Sequence, residues 1–243
     1  MEFERKQRQY AEVGQKLWQA GVLMSQSKFE EAEAVMKDAL PIPQSGPIYD
    51  VLGITHARMG KLDIAITDFI SAATIQHTND MGFRGLLPVL IHTGRISDYE
   101  EWRRKALAEF RTTEDAGIAE RMAFDCLLLP GADDVATLAI QMLDKHLTSP
   151  PRPFAELARG LAEYRKGQFA EAAERLEKSV DIQTSADATL EARLVLGMAH
   201  AKLGKPDKIA LPDDKQLHLT DSDWDDQMSI EALSLEARKI IPQ

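Results

Sequence analysis

The chain carries little that points to bond chemistry, export or nucleic acid. Cys126 is the one cysteine in 243 residues, so no intrachain disulfide can form, which fits a reducing compartment. Aromatic residues make up only 6% of the chain, and the abundant Ala, Leu, Glu and Lys favour helix. No apolar run reaches the ~20 residues of a membrane span, so no membrane partner is expected. The first residues, MEFERKQRQYAEVGQ, place charges where a signal peptide needs an apolar core, so a cytoplasmic location is the expectation. There is no basic excess. Lys plus Arg is 29 and Asp plus Glu is 39, giving 29 − 39 = −10. A polyphosphate backbone needs a basic surface, so nucleic acid is not the expected partner.

Catalytic and metal motifs are missing as well. None of His56, His77, His92, His146, His200 and His218 belongs to an HExxH or CxxC cluster. There is no G-x-S-x-G and no Ser/His/Asp setting. Asp221, Asp223 and Asp225 begin like a calcium loop, but Asp226 stands where the loop needs glycine and Ala232 where it needs a bidentate carboxylate. These acids are read as the negatively charged start of a helix, Cys126 as core beside three leucines, and the paired acids Glu30/Glu31 and Glu171/Glu174 as solvated helix faces. The expectation is a protein that is not an enzyme, with no cofactor and no metal.

What the chain does have is periodicity. Tyr49–Ala73, YDVLGITHARMGKLDIAITDFISAA, reads as two helices folded back at Gly60. Leu52, Gly53, His56, Gly60, Ala65, Phe69 and Ala72 have the spacing of a tetratricopeptide repeat (TPR), a helix–turn–helix unit of about 34 residues, and the stretch resembles that family. The match recurs at a constant offset: 20 to 53, 32 to 65 and 39 to 72 are each 33 residues. Gly53 and Ala65 fall where paired helices approach closely. Gly60 permits the positive φ that ends a helix, and Asp63 is read as the cap of the next one.

The resemblance implies an all-α fold, an α-solenoid of about six TPR-like helix–turn–helix repeats with a C-terminal capping helix, forming one superhelical domain over 1–243. Repeats 10–45, 46–79 and 153–187 are clear. Repeats 80–112 and 113–150 are degenerate. In the first of these, Trp102 and Leu107 stand where alanine and a medium apolar residue are expected. Repeat 188–212 is partial, its second helix ending at Pro212. The helix 1–25 presents Trp18, Val22 and Leu23 as its apolar stripe. The last helix, 224–241, carries two stripes, Trp224/Met228/Ala232/Leu235 and Ile230/Leu233/Ala237/Ile241. A helix capping against solvent needs one stripe. Two imply cover on two sides, as a substitute for the missing sixth second helix and as a contact with something else, self-association being one reading.

The second half also resembles the repeat regions of bacterial serine/threonine protein kinases, especially planctomycete-type ones, in AERMAFDCLLLP, FAELARGLAEYRKGQFAEAAERLEKS, LVLGMAHAKLGK and DWDDQMSIEALSLEARKII. Ile209, in place of the usual small residue, and Pro212 depart from that pattern. No kinase motif is present, so the resemblance implies a non-catalytic accessory region or a stand-alone relative.

In such repeats the first helices line a concave face. The register places Ile54, Arg58, Arg84, Leu161, Tyr164, Arg165, Met198 and Lys202 on it, with Leu17, Met24, Asp50 and Leu157 beside them. A protein or peptide partner with acidic and apolar side chains suits that mixture. The expected function is therefore protein–protein interaction scaffolding. The alternatives are a regulatory region of a kinase signalling system, with the kinase domain absent from this chain, and an enzyme built on a helical array.

Overall fold

The computed structural model describes residues 2–40, 46–131, 133–146, 150, 152–183, 185–205 and 224–241. Among these there are twelve α-helices and no strand. They are α1 (Glu2–Ser25) and α2 (Phe29–Ala39); α3 (Gly46–Arg58) and α4 (Leu62–Ile75); α5 (Met81–His92) and α6 (Ile96–Phe110); α7 (Ala116–Leu127) and α8 (Asp133–Asp144); α9 (Pro153–Arg165) and α10 (Phe169–Ile182); α11 (Ala186–Lys202); and α12 (Trp224–Ile240). The chain divides into two compact units. One holds residues up to Val89 together with Trp224, and the other begins at Leu90 and resumes at Asp225.

A repeated local device closes the hairpins. After α3, Gly60 takes φ 72°, its N–H donates to Ala57 O at 2.9 Å, and Lys61 N–H donates to His56 O at 2.8 Å. This pair of bonds satisfies carbonyls that a helix end otherwise leaves without partners. Gly94, Gly167 and Gly204 repeat it with φ 71°, 76° and 72°. Ser27 does the same after α1 with φ 57°, the one non-glycine residue of positive φ among the described residues. The next helix then starts without a side-chain cap, at Lys28, Lys61, Arg95 and Gln168. Asp63 is therefore not the cap expected of it. It lies inside the first turn of α4, where its charge suits the helix dipole.

In the first unit, Ala20, Ala32, Met36, Ala39, Ile48 and Leu52 form a continuous core, with Leu17 and Met24 packed against it. Trp18 is not part of the inward stripe; it is 71% exposed, because Leu17 and Ala20 take the facing positions. Small residues set the helix spacing. A Cβ on Gly53 would lie 2.6 Å from the Phe69 ring, and one on Gly85 would lie 2.4 Å from it. Phe69 also stacks on Trp224, with centroids 5.9 Å apart. His56, 3% exposed, sits between two carboxylates: Nδ1 is 2.6 Å from Asp68 Oδ2 and Nε2 is 3.3 Å from Glu33 Oε1.

In the second unit, Gly160 does for Leu176 what Gly53 does for Phe69, with a Cβ distance of 2.6 Å. The irregular α6 has its own solution. Trp102 is half-buried under the Lys105 ammonium, 4.1 Å from its ring centroid. The inward positions belong to Tyr99 and Arg103, at 0% and 1% exposure. Tyr99 Oη donates to Asp125 O at 2.9 Å, and Arg103 Nη1 donates to Leu129 O and Pro130 O, both at 3.3 Å. Cys126 is buried, and burial pushes its thiol well up, which leaves it inert.

Helix α12 is enclosed on most sides. Met228, Ile230, Ala232, Leu233, Ala237 and Ile241 are all buried, while Leu235 is half exposed. Ile209 and Pro212 of the partial sixth repeat lie outside the described residues, as do Asp221 and Asp223.

Candidate functional site

The expected face divides according to unit. In the first unit Ile54 and Arg58 are half-buried and Arg84 is exposed. The Arg58 guanidinium lies over the Phe29 ring, 4.8 Å from its centroid, a cation–π contact between neighbouring hairpins. Met24 accepts from Thr55 Oγ1 at 3.4 Å. Asp50 is buried, with one carboxylate oxygen lacking a hydrogen-bond partner. Burial first, and the charge of Asp80 second, push its carboxyl up to about 7.

In the second unit Leu157, Leu161 and Met198 are fully buried, and Tyr164 nearly so. Burial, then the Glu236 charge, pushes the Tyr164 hydroxyl up to about 12. Lys202 is exposed. The residue that organises this face is Arg165. Its side chain is 5% exposed, and all three guanidinium nitrogens are engaged. Nε donates to Leu127 O at 2.8 Å, Nη2 donates to Leu128 O at 2.8 Å, and Nη1 donates to Glu236 Oε1 of α12 at 2.6 Å. With Arg103, Arg165 satisfies four consecutive carbonyls, Leu127 to Pro130, at the C-terminus of α7. These are the groups a helix leaves unpaired, and the cations complement its negative end.

A second contact ties α12 to a first helix. His92 Nδ1, near the end of α5, lies 2.5 Å from Glu231 Oε2. That hydrogen bond holds the His92 imidazole above its ordinary value, against the opposing effect of burial. Through Glu231 and Glu236, α12 is thus tied to α5 and α9, both first helices.

Buried carboxylates are the feature that periodicity did not reveal. Glu191 on α11 is 2% exposed, with one unpaired oxygen. Burial, then Asp226, Asp125, Asp187 and Asp225, raise it well above the carboxylate range. Its position in α11 gave no signal, because the acids that crowd it come from three helices. Among the described residues no group of three or more His, Cys, Asp or Glu side chains is arranged to hold a metal ion. The buried His56 and the half-buried His92 face carboxylates across helix contacts.

Paired helices, glycine-closed turns and glycines at the helix crossings together define a helical-repeat protein, an all-α chain of TPR-like hairpins in the α-solenoid class. The solved structures agree. The fold is similar to that of a tetratricopeptide repeat protein from Parabacteroides merdae, with a TM-score of 0.55 and 14% sequence identity, over 95% of this chain and 93% of that one. That likeness shows the fold. No protein-family model matches the sequence, and no curated protein matches it. No helix among the described residues is long and apolar enough to cross a membrane.

Proposed function

We propose that the protein is a non-catalytic scaffold that binds a protein or peptide on first-helix faces within its units. The observation that carries this reading is the TPR-like fold. Stacked helical pairs of this kind present a preformed surface, and we assign apolar and basic side chains to it from the sequence register within each unit. Ile54, Arg58 and Arg84 in the first unit, and Lys202 in the second, are the contact residues we assign, and an acidic, apolar segment is the partner chemistry that suits them. The second reading, an accessory repeat region of a bacterial kinase signalling system, rests on the resemblance of the sequence phrases alone.

The test uses the intact chain as bait, with wild type and Arg58→Glu/Arg84→Glu compared by pull-down and mass spectrometry. Loss from the variant of a partner that wild type retains supports the assignment, provided the circular dichroism spectra coincide. Identical partner sets would remove this face from consideration.

A further inference from the structure

Helix α12 has the composition that the face of the second unit calls for. A helix turns 100° per residue, so Glu231 and Glu236, five positions apart, stand about 140° apart on its circumference. The wider arc between them faces inward and carries Ile230, Leu233, Ala237 and Ile241, all 7% exposed or less. Leu235, half exposed, and the exposed Lys239 lie on the opposite side, beside Met228 and Ala232, which are buried. One shoulder of the helix is gripped by His92 at 2.5 Å and the other by Arg165 at 2.6 Å. From Glu231 onward this is the arrangement of an amphipathic helix seated in a groove, while the first turns are anchored by Trp224 stacked on Phe69.

The receiving cation is held in part without that helix. Two of the three Arg165 nitrogens are fixed on the α7 carbonyls, leaving Nη1 as the donor offered to an incoming carboxylate. The seated helix is also an imperfect fit. Glu236 Oε2 and Ser234 Oγ are buried without a hydrogen-bond partner, a cost that a better-matched ligand avoids. What holds α12 in place is helped by its tether, since a segment on the same chain binds at high effective concentration.

We propose that the face built from the ends of α5, α7 and α9 is a receptor for one amphipathic helix bearing carboxylates on both shoulders of an apolar stripe. Helix α12 is its resident occupant, and the external partner is a protein helix of the same chemistry that takes its place. This inference rests on the scaffold reading above and names the partner's form and the step that admits it. Arg165 then serves twice, capping α7 and presenting the receptor's cation.

The experiment uses the full chain and, as probe, a fluorescent peptide with the sequence of residues 224–241. In wild type the tethered helix excludes the probe, and hydrogen exchange shows α12 protected. In Glu231→Lys/Glu236→Lys, α12 exchanges at least about tenfold faster, the α7 and α9 amides stay protected, and the probe binds at least about tenfold more tightly. A probe carrying the same two lysines does not bind. Should the double variant fail to fold, Glu231→Gln/Glu236→Gln keeps the side-chain shape and gives the same pattern at smaller amplitude. Loss of protection in α7 and α9 together with α12, in either folded variant, overturns the proposal by making α12 part of the core. So does release of α12 without a gain in probe binding. If the probe fails while Arg58→Glu/Arg84→Glu still loses its partner, the scaffold reading stands and this inference alone falls.

Discussion

The α3/α4 and α9/α10 hairpins share one register and use it differently. Gly53 and Gly160, Gly60 and Gly167, Ala65 and Ala172, and Phe69 and Leu176 are each 107 residues apart. At the same offset, His56 corresponds to Glu163 and Asp68 to Arg175. The first pair meets at 2.6 Å and the second at 2.8 Å. The basic and acidic partners have exchanged helices, so what recurs is the need for a pair at that crossing, not its polarity. Arg58 and Arg165 also correspond, yet one stacks on Phe29 and the other is built into the end of α7. A repeat position dictates direction, and the neighbours dictate use.

Changes at these matched positions test the comparison. The largest effect is expected from His56→Glu, which puts a carboxylate against Asp68 and Glu33 in a buried crossing and costs about 3–5 kcal/mol. Adding Asp68→Arg, which imports the polarity of the second unit, restores at least about half of the loss in a urea midpoint. If the double variant is no better than the single, the crossing does not accept either polarity. Next, Arg165→Ala removes a nearly buried cation from three acceptors and lowers stability by about 3–4 kcal/mol. Arg58→Ala, at the corresponding place, lowers it by less than ~1 kcal/mol. Equal losses would mean that the two arginines do the same work.

Asp50 corresponds to Leu157, and the difference is a matter of pH. With its carboxyl raised from 3.8 to about 7, the folded state holds a proton that the unfolded state has released. The first unit is therefore stabilised by acid, and that contribution fades as pH rises from 3.8 through about 7. Asp50→Asn flattens this dependence and gains about 2–3 kcal/mol at pH 8, readable as a melting curve at two pH values. Gly53→Leu and Gly160→Leu each overpack a crossing and cost about 1–3 kcal/mol; a cost at only one site would separate the two hairpins. The smallest change is a gain. Ser27 holds a conformation that costs an L-residue about 1–2 kcal/mol, so Ser27→Gly raises the melting point modestly, by about 0.5–1 kcal/mol of stability. Gly60→Ser in the second hairpin should show the mirror-image loss.

Much of the fold could be read without coordinates because the repeat is written in residues with local demands. Gly60, Gly94, Gly167 and Gly204 mark turns, since positive φ excludes most side chains. Gly53 and Gly160 mark crossings, since nothing larger fits beside Phe69 or Leu176. The proposed interaction face was less legible. Periodicity placed Leu161, Tyr164, Arg165 and Met198 on one side of their helices but carried no information about what covers that side. The same gap left Trp18 looking inward, Arg103 unnoticed and Asp63 read as a cap.

The sequence by itself determined the helical class, the hairpin turns and the spacing of the crossings, because each depends on residues within one turn or one pair of helices. Only the tertiary structure decided which charges are buried together and that α12 meets the first helices. The contacts responsible span 71 residues between Arg165 and Glu236 and 139 between His92 and Glu231. No local preference reports a partner that far along the chain. It becomes visible only when packing removes water from both groups and leaves each the other's counter-charge.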